Sequence, residues 1–265
     1  MEKILLCGSD GFIISNFIRY LLYRTKKYEI ISVDNLSDFE NHKNAYLNSN
    51  NKFYLGDVCD KQFIETLVNL EKPDYIINGC FYKSNNYKTI LEGTQNLQDT
   101  SLPLIHICMP DKLFFNTFLS KLISERNNTC LMVPNIFGFR QKAEENNCVP
   151  WVLSEMMRGY VSVNDNQLPW VYAEDIASFI WFKIETETNG IINMPTLGYM
   201  SEKDIANFIL ENNVLSADIN IEKNNKDLVK SYSSNYEGPW CRDTDDMYSV
   251  LDKTVKWYMA NKWAL

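Results

Sequence analysis

A chain of 265 residues, 45% of them hydrophobic, has enough apolar material for one large domain or a domain with an annex, which excludes a disordered or fibrous protein. The 26 Lys and Arg against 34 Asp and Glu leave a net charge of -8, so a broad electrostatic grip on nucleic acid or an anionic membrane is not expected. An anionic small ligand stays possible wherever backbone dipoles can meet it.

The 7 cysteines form no Cys-x-x-Cys pair, and most lie in apolar runs such as Lys3 to Cys7 and Leu104 to Cys108. That pattern predicts reduced, buried thiols in a cytoplasmic protein. His42 and His106 are the only histidines, which leaves little material for a His-built metal or triad site, so no metal is expected. Met1-Glu2-Lys3 runs straight into a short apolar segment, and no stretch reaches the roughly 18 apolar residues of a membrane span.

In chain order, short apolar runs alternate with longer periodic ones, the pattern of a parallel sheet covered by helices. Strands are predicted at Lys3 to Cys7, Glu29 to Val33, Lys52 to Leu55, Tyr75 to Gly79, Leu104 to Cys108 and Thr129 to Val133, six in all. Helices are predicted between them at Phe12 to Arg24, Lys61 to Leu70, Tyr87 to Gln98 and Asp111 to Arg126. Phe12, Ile13, Phe17, Ile18, Leu21 and Leu22 fall on one face of the first helix. Beyond Asn135 the rhythm loosens. Phe139 to Cys148 reads as loop, followed by a helix at Ala173 to Glu185, a strand at Ile191 to Met194, a helix capped by Ser201 and a last helix from about Asp245 to Lys262. The reading is α/β: a Rossmann-type doubly wound parallel sheet over residues 1–147, interleaved with a small mixed α/β C-terminal subdomain over 148–265 on the substrate side.

The turn after the first strand, Cys7-Gly8-Ser9-Asp10-Gly11-Phe12-Ile13-Ile14, leads directly into a helix. Two glycines at this spacing let the backbone turn tightly and approach a pyrophosphate, whose charge then meets the helix N-terminus. Val33-Asp34-Asn35 ends the second strand with a carboxylate placed for a ribose 2′-hydroxyl, which favours NAD over NADP.

With these residues in view, the chain resembles the extended short-chain dehydrogenase/reductase family, and within it the NAD-dependent nucleotide-sugar epimerases and 4,6-dehydratases, dTDP- and UDP-glucose 4,6-dehydratases above all. The resemblance runs through Gly56-Asp57-Val58-Cys59-Asp60, Lys72-Pro73-Asp74, Gly93-Thr94, Ile105-His106-Ile107, Asn135-Ile136-Phe137-Gly138, Val171-Tyr172-Ala173-Glu174-Asp175-Ile176 and Lys256-Trp257-Tyr258. It implies NAD as cofactor, held by Gly8, Gly11, Phe12, Ile13, Asp34 and Asn35. Asp57 and Val58 would lie at the adenine, and Gly79, Cys80 and Phe81 on the nicotinamide side. It also implies a nucleotide-sugar ligand and a homodimer or another protein partner. The dimer would form through the helices at Tyr87 to Gln98 and Asp111 to Arg126, where Leu113, Phe114, Phe115, Phe118 and Leu122 are more apolar than one buried face needs.

Three departures from the family pattern bear on chemistry. Ile14 stands where the family has its third glycine, which should shift the helix or intrude on the pyrophosphate and so weaken NAD binding. The Tyr-x-x-x-Lys pair, whose Tyr is the acid/base of the hydride step and whose Lys lowers the Tyr pKa, is missing after the fifth strand. Lys112 is a candidate remnant of the Lys, but four residues before it stands Cys108, read as a small buried strand-end residue. Tyr23/Lys27, Tyr199/Lys203 and Tyr258/Lys262 match the spacing elsewhere and read as coincidence among 15 tyrosines. The Arg that pairs with a substrate diphosphate is replaced by Gln167-Leu168-Pro169, with Arg140 and Arg158 the nearby alternatives.

The shortening relative to the family falls at Phe81 to Gln98 and Cys108 to Lys112, where the active site is built. No catalytic residue is therefore assigned. The leading expectation is a pseudoenzyme kept for a structural, regulatory or partner-binding role. The alternatives are an active epimerase or dehydratase using Tyr82 or Tyr87, and an NAD(H) sensor. Trp240, Trp257 and Trp263 are candidate partner anchors, with packing of the terminal helix as the plainer role of the last two.

Overall fold

The structure is a computed structural model, and it describes residues 1–37, 51–80, 87–108, 128–143, 149–186, 189–212, 215–222, 232–240 and 246–262. Phe81, Tyr82, Lys112 and the predicted helix at Asp111 to Arg126 lie outside the described residues, as do His42, Cys148, Cys241 and Trp263. The chain divides into two compact units. One comprises Met1–Val133, Ile176–Asn193 and Gly238–Trp240, and the other Pro134–Asp175, Met194–Glu237 and Cys241–Leu265.

The first unit is built on β1 (Glu2–Cys7), α1 (Phe12–Arg24), β2 (Tyr28–Asp34), β3 (Asn51–Leu55), α2 (Lys61–Glu71), β4 (Tyr75–Asn78), α3 (Tyr87–Asp99), β5 (Leu104–Cys108) and β6 (Thr129–Met132). Its seven-stranded sheet has the order β10-β6-β5-β4-β1-β2-β3, where β10 is Gly190–Asn193, and every pairing in it is parallel. Six of these strands are those the sequence predicts. The seventh is the later Ile191 segment, which returns along the chain to pair with β6 through Ile191 opposite Cys130.

In β1, Ile4, Leu5, Leu6 and Cys7 are all fully buried, as a strand covered on both faces requires. Ile13, Ile14, Phe17, Ile18 and Leu21 are the buried face of α1. Chain order reverses between β1 and β4: β2 and β3 lie on one side of β1, β4 and β5 on the other. In open parallel sheets that reversal opens a crevice beyond the carboxyl ends of the strands, and ligands bind there. Trp240, in the same unit, stands edge-on to Phe179 with ring centres 5.0 Å apart, so it is a packed ring.

The second unit contains a three-stranded sheet, β11-β9-β7, formed by Gly198–Met200, Leu168–Tyr172 and Asn135–Phe137, and a parallel pair of β12 (Asp218–Ile221) with β8 (Tyr160–Val163). The helices α4 (Val149–Met157), α6 (Glu202–Glu211) and α7 (Met247–Ala260) enclose a core of Phe137, Trp170, Tyr172, Leu251 and Tyr258. The helix α5 (Ala173–Thr186) precedes β10. Ser201 caps α6 as expected, with the reciprocal bond in which its own N–H donates to Asp204 Oδ2 at 2.8 Å. Trp257 is half-buried, 4.9 Å ring to ring from Tyr258.

Candidate functional site

Gly8 leaves β1 with φ +78, a left-handed conformation that L side chains rarely adopt. A Cβ there would also sit 2.9 Å from the Cys80 backbone nitrogen and 3.0 Å from its Cα, so the turn lies directly on the end of β4. The Gly8 and Ser9 N–H groups donate to Val33 O at 2.9 and 3.1 Å, and Gly11 N–H donates to Gly8 O at 3.0 Å. Gly11 then serves as the N-cap of α1 with no capping side chain, and the first turn of α1 carries no acidic residue. By contrast α2 is capped by Asp60 and α7 by Asp246. The N–H groups at Phe12 and Ile13 therefore open a helix whose positive end no side chain of its own neutralises.

Asp34 ends β2 beside this turn. Its Oδ2 accepts from Asp10 N–H at 2.9 Å and its Oδ1 from Leu36 N–H at 2.8 Å. A carboxylate has about four lone-pair positions, so two remain for ribose hydroxyls. Leu36 takes the left-handed φ of 52. Next along the edge, Asn35 Nδ2 donates to Asp57 Oδ2 at 3.0 Å and Cys59 N–H to Asp57 Oδ1 at 2.8 Å. Burial works against charge on Asp57, but these bonds outweigh it and lower its pKa. Val58 has its side chain in the core with Leu5, Ile31 and Ile76, and its carbonyl accepts from Asn96 Nδ2 at 3.0 Å.

Gly8, Gly11, Phe12, Ile13, Asp34, Asn35, Asp57, Gly79 and Cys80 thus gather along one edge of the sheet. Burial first, and then the charge of Asp34, push the Cys7 thiol far up. Cys80 is raised by burial and by Cys7, Asp34 and Asp57. Both shifts favour the thiol over the thiolate. Cys7, Cys59, Cys80, Cys108 and Cys130 are not in disulfides.

Ile14 packs against Gly79. It is 1% exposed, and a Cβ on residue 79 would come within 2.5 Å of its Cγ1 and 2.9 Å of its Cδ1. The side chain lies over the bare Cα of Gly79.

Two further residues support this edge. Asn78 Oδ1 accepts from Cys80 N–H at 3.1 Å, which fixes the amide so that its Nδ2 faces His106 Nδ1, also at 3.1 Å. That contact requires Nδ1 to accept, placing the imidazole proton on Nε2, which has no hydrogen-bond partner among the described residues. Burial alone pulls the His106 pKa down to about 4. Asn78 follows three strand residues, Tyr75-Ile76-Ile77, and precedes Gly79; that a polar side chain ends the strand there was the one available sequence signal for its role.

The positions considered for hydride transfer have other partners. Cys108 is buried in β5 with its Sγ 3.6 Å from Cys130 Sγ, inside an apolar cluster with Ile90 and Met132. Tyr23 is 84% exposed. Tyr199 donates to Tyr232 O at 2.6 Å, and Lys203 pairs with Asp165 at 2.8 Å. Tyr258 donates to Gly138 O and Gln141 O. Tyr87 opens α3, but its side chain lies outside the described residues. Where a diphosphate Arg was looked for, Gln167 donates to Asp204 Oδ2 at 2.6 Å. Arg158 is an exposed partner of Glu155, and Arg140 is half-buried with φ 66. Among the described residues no group of three or more His, Cys, Asp or Glu is placed to hold a metal ion, and no helix is long and apolar enough to cross a membrane.

Comparison with known proteins agrees with this geometry. Residues 4–101 match the family described as the NAD dependent epimerase/dehydratase family. Over 101 residues the chain is 33% identical to dTDP-D-glucose 4,6-dehydratase of Dictyostelium discoideum, covering 36% of this chain and 23% of that protein. Over 80 residues it is 35% identical to dTDP-D-glucose 4,6-dehydratase of Homo sapiens, covering 29% and 23%. The aligned segment therefore spans about a quarter of the length of these relatives. In fold the similarity runs end to end. The NAD complex of dTDP-glucose 4,6-dehydratase from Bacillus anthracis superposes with a TM-score of 0.83 at 17% identity over 100% of this chain and 98% of that one. UDP-glucose 4-epimerase of Thermotoga maritima, solved with UDP-glucose, gives 0.82 at 19% identity over 98% and 99%.

Proposed function

We propose, from the premise that residues 4–101 of this chain belong to the NAD dependent epimerase/dehydratase family, that it is a nucleotide-sugar epimerase/dehydratase relative that holds NAD but is impaired in hydride transfer. The dinucleotide would lie against the Gly8 to Ile13 turn, with its ribose at Asp34 and its adenine near Asp57. When bound, it would supply a hydride acceptor. The single observation that carries the binding half of this reading is the cradle itself: Gly8 at positive φ, packed so closely on Cys80 that no Cβ would fit, and an uncapped α1 facing the same edge. Ile14, resting on Gly79, is compatible with it.

The impaired half rests on Cys108. The residue four positions before Lys112, at the end of β5, is a thiol sealed among Ile90, Cys130 and Met132, too short and too enclosed to act as a phenol would. The replacement of the diphosphate Arg by Gln167, already engaged by Asp204, points the same way. What remains useful in such a protein is a dinucleotide-dependent shape, and a regulatory or partner-binding role, as a homodimer or with another protein, belongs to this proposal.

Titration calorimetry tests the binding half. NAD should bind saturably with one molecule per chain, and NADP should bind at least about tenfold more weakly, because its 2′-phosphate meets the Asp34 carboxylate. Asp34→Ala should narrow that gap. Failure of the wild-type protein to bind NAD contradicts the reading.

A further inference from the structure

Helices that present their N-terminus to a dinucleotide must pack closely on the strands beside them, and a glycine on the helix is the usual way to remove the intervening side chain. This chain has a β-branched Ile14 at that place, 1% exposed. The space it occupies is the one a side chain on residue 79 would need: Cγ1 lies 2.5 Å, and Cδ1 2.9 Å, from a Cβ built on Gly79. The φ of Gly79 is not left-handed, and the next-nearest atom to that Cβ after those of Ile14 is Cys7 O at 3.7 Å, an ordinary contact. Among the described residues, the contact that a side chain at 79 would meet first is with Ile14. The one reason visible for Gly79 is Ile14.

We infer that Ile14 and Gly79 are an exchanged pair, in which the missing side chain has moved from the helix to the strand, and that Gly79 is the positioning residue that holds α1 at dinucleotide-binding distance from the sheet. This rests on the NAD reading above. An Ile side chain in a helix has nearly one χ1 rotamer, so it cannot swing aside from a new Cβ; the first turn of α1 must move instead. That turn follows Gly8, which itself lies 3.2 Å, by its would-be Cβ, from the Gly79 carbonyl carbon. Gly79 is thus met from two sides, by the phosphate turn and by the helix it opens, and displacement at either is felt where the pyrophosphate would sit.

The test is a two-by-two set of variants read by both thermal unfolding and NAD calorimetry. Gly79→Ala should lower Tm and weaken NAD at least about tenfold. Ile14→Ala should also lower Tm, by leaving a cavity, but keep NAD affinity within about twofold of wild type. Gly79→Ala combined with Ile14→Ala should recover affinity to within about twofold and have a higher Tm than Gly79→Ala alone. A pair with only a structural role would make affinity follow Tm in all variants; the inference requires that the two part company in Ile14→Ala. Additive losses in the double variant, or undiminished affinity in Gly79→Ala, would overturn it. Should wild-type protein bind no NAD, the cofactor reading fails, and non-additive Tm shifts alone then establish or dismiss the exchange.

Discussion

At Gly8 two independent constraints fall on one atom. Its φ of +78 costs an L-residue about 1–2 kcal/mol, and its Cα faces Cys80 N at a distance that leaves no room for a methyl group. Gly8→Ala should therefore lower stability by more than the backbone term alone and weaken NAD binding; denaturant unfolding and calorimetry would measure the two. His106 makes a different prediction. Its folded pKa of about 4 lies below the ordinary 6.5, so between these values the unfolded chain binds a proton that the folded chain refuses. Stability is then present above pH 6.5 and is lost as pH falls towards 4, by on the order of 3 kcal/mol for the whole shift. His106→Asn, which keeps an acceptor for Asn78 and cannot titrate, should flatten that part of the stability profile relative to wild type.

Among the elements, α2, α6 and α7 each have a side-chain N-cap and α1 has none. Asp60 accepts from Phe63 N–H at 3.0 Å at the start of α2, and Asp60→Ala should cost about 1 kcal/mol in urea unfolding. The α1 terminus has no such bond to lose. The strands and helices of the first unit were legible because each is either a fully apolar run or an amphipathic repeat: α1 was read as Phe12 to Arg24 and β5 as Leu104 to Cys108, and both are found there. The second unit was read poorly. β7 and β11 are three residues each, too short to show alternation, and β9 contains Pro169, which reads as a break in a strand but lies opposite Tyr199 in an antiparallel pairing. Helix α4 begins Val149-Pro150-Trp151, right after a polar loop, and no capping pattern announced it. In the candidate site, the glycine turn and Asp34 were visible as a motif. The Ile14–Gly79 contact was not, since it joins residues 65 positions apart and depends on helix orientation, which periodicity alone does not give.

For the molecule as a whole, the sheet order explains why the site lies where it does. Chain direction reverses at β1 and β4, so the two strand ends that carry Gly8 and Gly79 are neighbours, with Cys7 opposite Asn78 in register. Every residue of the candidate dinucleotide edge between Gly8 and Cys80 belongs to the first unit, within the segment that matches the family. The fold similarity, in contrast, covers the entire chain at identities of 17–19%. The family match thus covers the segment that carries the glycine turn, while the fold is shared along the whole chain. The most direct measurement is turnover itself: purified protein incubated with NAD and either UDP-glucose or dTDP-glucose, with products followed by mass spectrometry and chromatography. The account predicts that NAD binds while neither a 4-keto product nor an epimer accumulates. Steady turnover that disappears in Tyr82→Phe or Tyr87→Phe would contradict it.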